Sequence, residues 1–170
     1  MSRATGRDWG CAVLYRPSER TDIPGMASIR ACEWGNLEYW ENRISGYLDG
    51  ALSPQRALAP RVCYVAVDQS AVVGFVAGHL TRRYDCDGEL EWINVSSERR
   101  RSGIASELIH LLASWFVRQQ AFRVCVDVDP SNEAARAFYI RHGAEKLNDH
   151  WLVWNDIREV TSSVRLRDPR

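Results

Sequence analysis

A run of arginines followed by small residues is the first candidate for chemistry. Arg99, Arg100 and Arg101 stand directly before Ser102 and Gly103, where an amphipathic helix is predicted to begin. The first turn of a helix has unpaired backbone N–H groups and carries about half a positive charge. Small residues let a ligand approach those N–H groups closely. The stretch therefore predicts a site for a polyanion such as a diphosphate. The alternative is a surface loop with solvated arginines.

This loop does not match the common nucleotide signatures. Neither GxxxxGK[ST] nor GxGxxG occurs there, so a phosphate-hydrolysing loop loses its main support. Just upstream, Glu89 and Glu91 lie on a predicted strand, and period-two alternation places them on one face with Ile93 and Val95. Either carboxylate can accept a proton from a bound group, directly or through water. Their alternative role is that of solvated carboxylates at a strand edge.

The elements around these residues predict a mixed α/β domain whose front half is antiparallel. Glycine, proline and polar turns separate apolar segments of period two from segments of helical period. A strand–helix–strand unit runs from Glu89 to Val128, so its two strands should be parallel with a right-handed crossover. The predicted strands span residues 11–17, 61–68, 71–80, 88–95, 122–128 and 149–157, and the predicted helices lie within 21–34, 36–50, 103–119 and 129–143. Residues 1–10 are expected to be a flexible lead-in, 11–157 a single domain, and 158–170 a charged tail.

Two segments carry a family resemblance. The stretch from Arg100 to Ala105, RRSGIA, resembles the [QR]-x-x-G-x-[GA] signature of the GNAT superfamily of acetyl-CoA-dependent N-acyltransferases. The stretch from Asn132 to Gly143, NEAARAFYIRHG, is similar to the N-x-x-A-x-x-F-Y-x-x-x-G helix of the same superfamily. One helix and one strand separate the two segments, as in that family. The resemblance covers residues 11 to 157.

The resemblance implies a fold and a cofactor. The fold would be a mixed α/β domain with a central, mostly antiparallel sheet of six to seven strands, a splayed parallel pair and about four helices. Acetyl-CoA would lie between the strands Leu90–Val95 and Phe122–Val128, its pantetheine arm bonded to free backbone groups as an added strand. No metal is expected. The implied cofactor contacts are Ile93, Asn94, Val95, Arg100, Arg101, Ser102, Gly103, Ile104, Ala105, Ser106, Asn132 and Tyr139.

The resemblance also implies catalytic roles. A CoA thiolate leaving group needs a proton, which the hydroxyl of Tyr139 would supply. The backbone N–H of Val95 would polarise the thioester carbonyl. An amine acceptor must lose a proton before it attacks, and Glu89 fits the family's base best, with Glu91 as the alternative. The residues alone leave Tyr139 open as a core aromatic and Asn132 open as a helix N-cap.

Aromatic residues of the first two predicted helices bear on the acceptor. Trp34 and Tyr39 lie where the first two helices meet and predict an aromatic wall that holds a cation, although core packing explains such rings equally well. The expected reaction moves an acetyl group from acetyl-CoA to a primary amine of a small molecule or peptide, by direct attack in a ternary complex. The alternative is a catalytically silent acyl-CoA-binding regulatory module.

Composition narrows the setting. The 170 residues are 45% hydrophobic and 26% charged, with a formal net charge of +0, so no global field attracts nucleic acid or an anionic membrane. No apolar run reaches transmembrane length. The five cysteines form no CxxC pair, which indicates reduced, buried thiols in a cytoplasmic protein. Exposed apolar residues expected in the final strand would permit a homodimer.

Overall fold

The computed structural model of the protein describes residues 12–162, and the predicted lead-in at residues 1–10 lies outside them. One seven-stranded sheet organises the described residues. Its strands are β1 (Leu14–Pro17), β2 (Ala57–Asp68), β3 (Ala71–Thr81), β4 (Gly88–Val95), β5 (Val124–Asp127), β6 (Glu145–Lys146) and β7 (Trp151–Trp154). Their order across the sheet is β1-β2-β3-β4-β5-β7-β6. The mixed α/β architecture predicted from the sequence is confirmed.

The parallel pair splays as the resemblance implied. Neighbouring strands of the sheet are antiparallel except for β4 and β5. These two pair only from Gly88 opposite Val124 to Leu90 opposite Val126. Beyond Leu90, β4 continues beside β3 as far as Val95, without β5 on its other side. A gap therefore opens between the second half of β4 and the chain that follows β5.

The strand β4 contains a bulge at Glu91. Gly78 of β3 pairs with Leu90, and the next residue back, Ala77, pairs with Trp92, so Glu91 is the extra residue. A bulge shifts the alternation of side chains by one position. Accordingly, Leu90 packs in the core under α3, whereas Trp92 packs in the core under the first two helices.

Helices cover both faces of the sheet. Within the described residues they are α1 (Ile23–Ala31), α2 (Leu37–Leu48), α3 (Ile104–Arg118), α4 (Glu133–Arg141) and α5 (Arg158–Ser162). The helices α1 and α2 pack on one face around Trp40, Ile44 and Phe75. The helix α3 packs on the other face, where a Cβ atom at Gly88 would overlap the ring of Phe116. None of these helices is long and apolar enough to cross a membrane.

Several boundaries differ from the sequence prediction. The strand β2 begins at Ala57 rather than at residue 61, because residues 57 and 58 pair with the end of β3 across a register shift. The four residues of β7 are all buried, since β7 lies inside the sheet with apolar clusters on both faces. The expectation of exposed apolar residues in the final strand is therefore wrong, and with it the argument for a dimer. The helix α5 extends past residue 157, and its Val160 is buried.

Candidate active site

The gap between β4 and β5 forms a cleft of about 1040 Å³. One wall is β4, the opposite wall is the segment Asp127–Asp129 at the end of β5, and α4 contributes Asn132, Ala135 and Tyr139. The backbone N–H of Ser96 donates to the carbonyl of Val73 on β3 at 2.8 Å. Because backbone groups alternate in direction along a strand, those of Val95 and Ile93 point away from β3 and into the cleft.

The loop after β4 presents backbone N–H groups at the mouth of the cleft. Gly103 is the N-cap of α3 with φ of +83°, a conformation that favours glycine, and a Cβ there would meet open space. The helical hydrogen bonds start with Glu107 N–H to Gly103 C=O, so the amides of Ile104, Ala105 and Ser106 have no partner within the helix. Small side chains and open space leave this helix end accessible to an anion.

The three arginines of the loop have different environments. Arg99 forms an ion pair with Asp68 at the end of β2 and so fixes the loop to the sheet. Arg100 lines the cleft, and its guanidinium lies 3.7 Å from the carboxylate of Glu33. Arg101 is exposed and has φ of +60°. Ser102 is also exposed, and its hydroxyl donates to the carbonyl of Arg99. Arg100 is therefore the arginine of this loop placed to reach a ligand in the cleft.

A polar network links α1 to β4 across the cleft. Arg30 Nη1 donates to Asn94 Oδ1 at 3.2 Å, and Asn94 Nδ2 donates to Glu33 Oε1 at 3.0 Å. The Arg30 guanidinium also stacks on Trp40, 4.2 Å from the ring centroid. The side chain of Asn94, predicted to contact the cofactor, is thus held by α1 and the residues that follow it. Arg30 could not be identified from the sequence, since nothing in its local pattern distinguishes it from a solvated helix arginine.

Tyr139 and Asn132 occupy the α4 side of the cleft. Tyr139 is only 7% exposed, and its ring packs edge-on against Trp154 at 5.7 Å. Within the described residues its hydroxyl forms no hydrogen bond, and burial raises the pKa of that hydroxyl above its usual range. The side chain of Asn132 accepts from Ala135 N–H at 3.1 Å, which makes it the N-cap of α4. Both residues line the cleft, so their functional and structural roles are compatible.

The two predicted carboxylates meet a buried histidine. Glu89 pairs across the sheet with His79 of β3, and Glu89 Oε2 lies 3.5 Å from His79 Nε2 and 3.3 Å from Arg83 Nε. One ligand-type atom each from His79, Glu89 and Glu91 lies within 4.8 Å of the others. Both carboxylates line the cleft. The predicted shared face with Ile93 and Val95 is wrong beyond Leu90, because the bulge at Glu91 turns those side chains toward the α3 core.

Glu91 differs from Glu89 in its environment. Burial raises the pKa of Glu91, His79 acts in the opposite direction, and repulsion from Glu89 adds to the rise. Within the described residues Glu91 takes part in no hydrogen bond or ion pair, whereas Glu89 pairs with Arg83. Positive charge from Arg30 and Arg43 also reaches Glu91. These arginines and Arg83 oppose a divalent cation, so we assign no metal ion to this cluster.

The predicted aromatic wall lies outside the cleft. Trp34 is 54% exposed and Tyr39 is 42% exposed. They stack on each other with ring centroids 5.3 Å apart, and Trp34 meets Trp40 at 4.9 Å. Neither of them lines the cleft. The cleft lining instead includes three charged residues, one amide and two apolar or aromatic side chains: Arg43, Arg83, Glu91, Gln55, Pro54 and Trp151.

Cys125, the cysteine on a strand that borders the cleft, is not a nucleophile. Cys32, Cys63, Cys86 and Cys125 are free thiols. Cys125 lies on β5, and its hydrogen bond with Cys86 together with burial raises its pKa far above the usual range, so it remains a thiol. Cys32 is exposed, which corrects the expectation of uniformly buried thiols. Cys11 lies outside the described residues.

Comparison with known proteins identifies the family. The family model described as "Acetyltransferase (GNAT) family" matches residues 26–144, and none of the curated proteins matches significantly. Three solved structures show the same fold at low identity. They are Ard1 from Thermoplasma volcanium (18% identity, TM-score 0.67, covering 84% of this chain and 95% of that one), an N-acetyltransferase from Staphylococcus aureus Mu50 (15%, 0.66, 86% and 99%), and the GNAT family N-acetyltransferase YhbS from Escherichia coli in complex with CoA (18%, 0.65, 91% and 87%).

The matched residues include the elements that form the cleft. They run from α1 through the splayed strands and the loop before α3 to the glycine after α4. The resemblance seen in RRSGIA and in the α4 segment is thus confirmed by an independent model and by the fold. With most of its length matched in this way, the chain belongs to the acetyltransferase (GNAT) family.

Proposed function

We propose that the protein is an N-acetyltransferase that moves an acetyl group from acetyl-CoA to a primary amine by direct attack in a ternary complex. The observation that carries this proposal is the splay of β4 from β5, which leaves the backbone groups of Ile93 and Val95 facing a cleft. The pantetheine arm would bond to these groups as an added strand. The CoA-bound Escherichia coli structure with the same fold supports this choice of cofactor.

The diphosphate of CoA would bind at the N-terminus of α3. The amides from Arg101 to Ser106 offer donors, the helix dipole favours negative charge, and Arg100 adds a cation. In the structure Arg100 lies beside Glu33, so cofactor binding exchanges a weak, partly exposed ion pair for contacts to phosphate. Asn132, beside the cleft on the opposite side, would bond to the pantetheine arm.

The proposed transfer needs the acceptor amine to lose a proton, the carbonyl oxygen to be stabilised and the leaving thiolate to gain a proton. A primary ammonium has a pKa of about 10.4 in water, so it must lose a proton before its nitrogen can attack the thioester carbonyl. The negative charge that develops on the carbonyl oxygen would be stabilised by the backbone N–H of Val95. When the carbon–sulfur bond breaks, Tyr139 would donate its proton to the thiolate. Its raised pKa keeps that proton in place over the neutral range.

We propose Glu91, rather than Glu89, as the general base. The sequence favoured Glu89, but its carboxylate lies 3.3 Å from Arg83 and is only 5% exposed. That ion pair engages the carboxylate of Glu89 and turns it toward Arg83. Glu91 has no such partner among the described residues, and burial raises its pKa toward neutrality, which makes it the better proton acceptor near neutral pH.

The acceptor is proposed only as a class. A small-molecule or peptide amine would enter the cleft beside the carboxylates Glu91 and Asp127, and the cleft lining also includes Arg43 and Arg83. Solved structures with this fold include an aminoglycoside 6'-acetyltransferase and a ribosomal-protein-alanine N-acetyltransferase, so the fold serves both kinds of acceptor. A cytoplasmic location is also proposed, because the free thiols persist in a reducing compartment.

Calorimetry and an acceptor screen test the proposal. Acetyl-CoA should bind to the purified protein, and Arg100→Ala should weaken that binding. A panel of amines, amino acids and peptides, read by release of free CoA thiol, should then identify an acceptor. Failure to bind acetyl-CoA would refute the cofactor site. Binding without CoA release for any amine would favour the silent acyl-CoA-binding module instead.

A further inference from the structure

A fully buried histidine lies behind the proposed base. His79 has 0% exposure, although most of the cleft beside it is open. Its Nδ1 lies 3.1 Å from the hydroxyl of Tyr47. Its Nε2 is buried and has no hydrogen-bond partner, even though Glu89 Oε2 is 3.5 Å away. A buried polar atom without a partner destabilises the folded state, so this nitrogen calls for a functional explanation.

The surrounding charges favour a proton rather than a metal ion at this nitrogen. Two carboxylates close together cannot both ionise easily, and a proton on His79 would relieve their repulsion. A divalent cation would also do so, but Arg83 already neutralises Glu89. Arg30 and Arg43 act on Glu91 from the other side. A proton adds one positive charge, and it can leave again. A bound divalent cation would add two positive charges beside three guanidinium groups, which is less favourable.

On the basis of the proposed function, we propose that His79 is a positioning residue that receives the acceptor's proton from Glu91 and so returns Glu91 to its carboxylate form. In the tautomer that donates its Nδ1–H to the hydroxyl of Tyr47, the Nε2 lone pair is free and lies 3.5 Å from the carboxylate of Glu89. The ring neither touches the acceptor nor reacts with it. Its contribution is to keep the base available while the cleft is filled by both substrates.

The reaction removes two protons from the acceptor nitrogen, so the base must accept a proton twice. The acceptor nitrogen begins with three protons and ends, as an amide, with one. Its first proton goes to Glu91 and then to His79, which frees the nitrogen lone pair to form the carbon–nitrogen bond. Its second proton goes to Glu91 after the attack. The thiolate takes a proton from Tyr139 as the carbon–sulfur bond breaks. One of the two stored protons returns to Tyr139, and the other leaves to solvent.

The titratable and charged groups around His79 come from α2, β2, β4 and the turn between β3 and β4. They are Tyr47 from α2, Arg61 opposite His79 on β2, Glu89 and Glu91 from β4, and Arg83 from the turn, while Arg43 of α2 lines a small pocket together with Tyr47 and Glu91. Arg61 stacks on the ring of Tyr47 at 4.9 Å and so orients the phenol that holds the imidazole. The two carboxylates are the proton acceptors of this set that also line the cleft.

The first test compares His79→Gln with the parent across pH. At pH 7, kcat/KM should fall roughly 10- to 100-fold, within the range of lost acid–base assistance. The loss should shrink to below about threefold near pH 10, where the amine deprotonates in solution. Tyr47→Phe, which keeps the ring but removes the hydroxyl on Nδ1, should give a smaller loss with the same trend. His150→Gln is the matched control, because this exposed histidine lies outside the cleft lining.

The second test does not depend on activity. Nitrogen-15 NMR of the histidines, assigned with His79→Gln, should show Nε2 of His79 gaining a proton as the pH falls. In Glu91→Gln the protonated fraction at a given pH should decrease, because one anionic neighbour is gone. An imidazole that stays in one neutral form from pH 5 to 9 would overturn the proposal. So would a kcat/KM loss of equal size at pH 7 and pH 10, or activity abolished by a chelator and restored by Zn²⁺.

Failure of this proposal is distinguishable from failure of the proposed function. Full transfer activity in a folded His79→Gln variant at pH 7 overturns the role of His79 alone. A parent protein that binds acetyl-CoA but acetylates no amine overturns the enzyme itself and the proton carrier with it. Circular dichroism and the affinity for acetyl-CoA establish that each variant is folded before its activity is compared.

Discussion

Replacing Tyr139 with phenylalanine removes one hydroxyl and leaves the packing of α4 intact. The ring of Tyr139 contacts Trp154 and Phe138 edge-on at 5.7 and 5.5 Å, and phenylalanine keeps both contacts. The hydroxyl forms no hydrogen bond with any described residue, so the free energy of unfolding should change by less than about 1 kcal/mol. A proton donor to the leaving thiolate, by contrast, contributes a factor of roughly 100 or more in rate. That factor corresponds to about 2.7 kcal/mol of transition-state stabilisation.

The assay separates these effects. With the acceptor found by screening, kcat of Tyr139→Phe should fall about 100-fold, while the Kd for acetyl-CoA from calorimetry changes less than about threefold, or about 0.65 kcal/mol. Because burial raises the pKa of Tyr139, the phenol stays protonated and the ratio of parent to variant rates should be constant from pH 6 to 9. A variant that keeps half of the parent kcat would refute the role of Tyr139. A parallel loss of cofactor affinity would show that the hydroxyl serves binding instead.

Three further predictions follow from the same structure. Glu91→Gln should lower kcat by roughly 100-fold or more. Since the pKa of Glu91 is raised on folding, the parent loses stability as pH rises through that raised pKa. The melting temperature of the variant should therefore exceed the parent's at pH 8, and a lower melting temperature would contradict the assignment of Glu91. Gly88→Ala should lower the free energy of unfolding by about 1–3 kcal/mol, because the added Cβ would overlap with Phe116. In Gly103→Ala the added Cβ meets open space, but φ of +83° should cost about 1–2 kcal/mol, and acetyl-CoA binding should also weaken. Urea unfolding and calorimetry distinguish the two variants, and unchanged affinity in Gly103→Ala would exclude close approach of the diphosphate. Trp34→Ala with Tyr39→Ala should change the KM for the acceptor by less than about threefold, because neither ring lines the cleft, and a tenfold rise would restore the predicted aromatic wall.

Local patterns were sufficient to predict most of the fold. The predicted strand at residues 88–95 coincides with β4, and the predicted helix at 103–119 corresponds to α3 at Ile104–Arg118. Alternation, helical period and capping residues act over a few positions, so they can be read directly from the chain. The start of β2 at Ala57 was missed, because its pairing with Thr81 depends on a strand far along the chain. The burial of β7 was missed for the same reason, since its place between β5 and β6 is a matter of topology.

The candidate site also contains residues that the sequence could identify and residues that only the fold brings together. The loop before α3 and the α4 segment are contiguous, so their residues were identified from the sequence, and the structure places Arg100, Asn132 and Tyr139 beside one cleft. Arg30, Arg83 and His79 were not identified, because each reaches the site from an element whose position only the fold determines. His79 meets Glu89 through cross-strand register, and register depends on the whole sheet rather than on a local pattern.

The bulge at Glu91 shows why packing and chemistry depend on each other in this strand. In a regular strand Leu90 and Trp92 share one face, yet here they lie in different cores on opposite sides of the sheet. One extra residue between them is therefore required by the packing, and that residue is Glu91. Because an extra residue is released from regular pairing, its carboxylate can turn to the same side as Glu89 and His79 while the backbone beyond it stays aligned with the cleft. The bulge therefore decides which face of the sheet each side chain of β4 after Leu90 takes, and it places Trp92 under the first two helices and Ile93 and Val95 toward the α3 core.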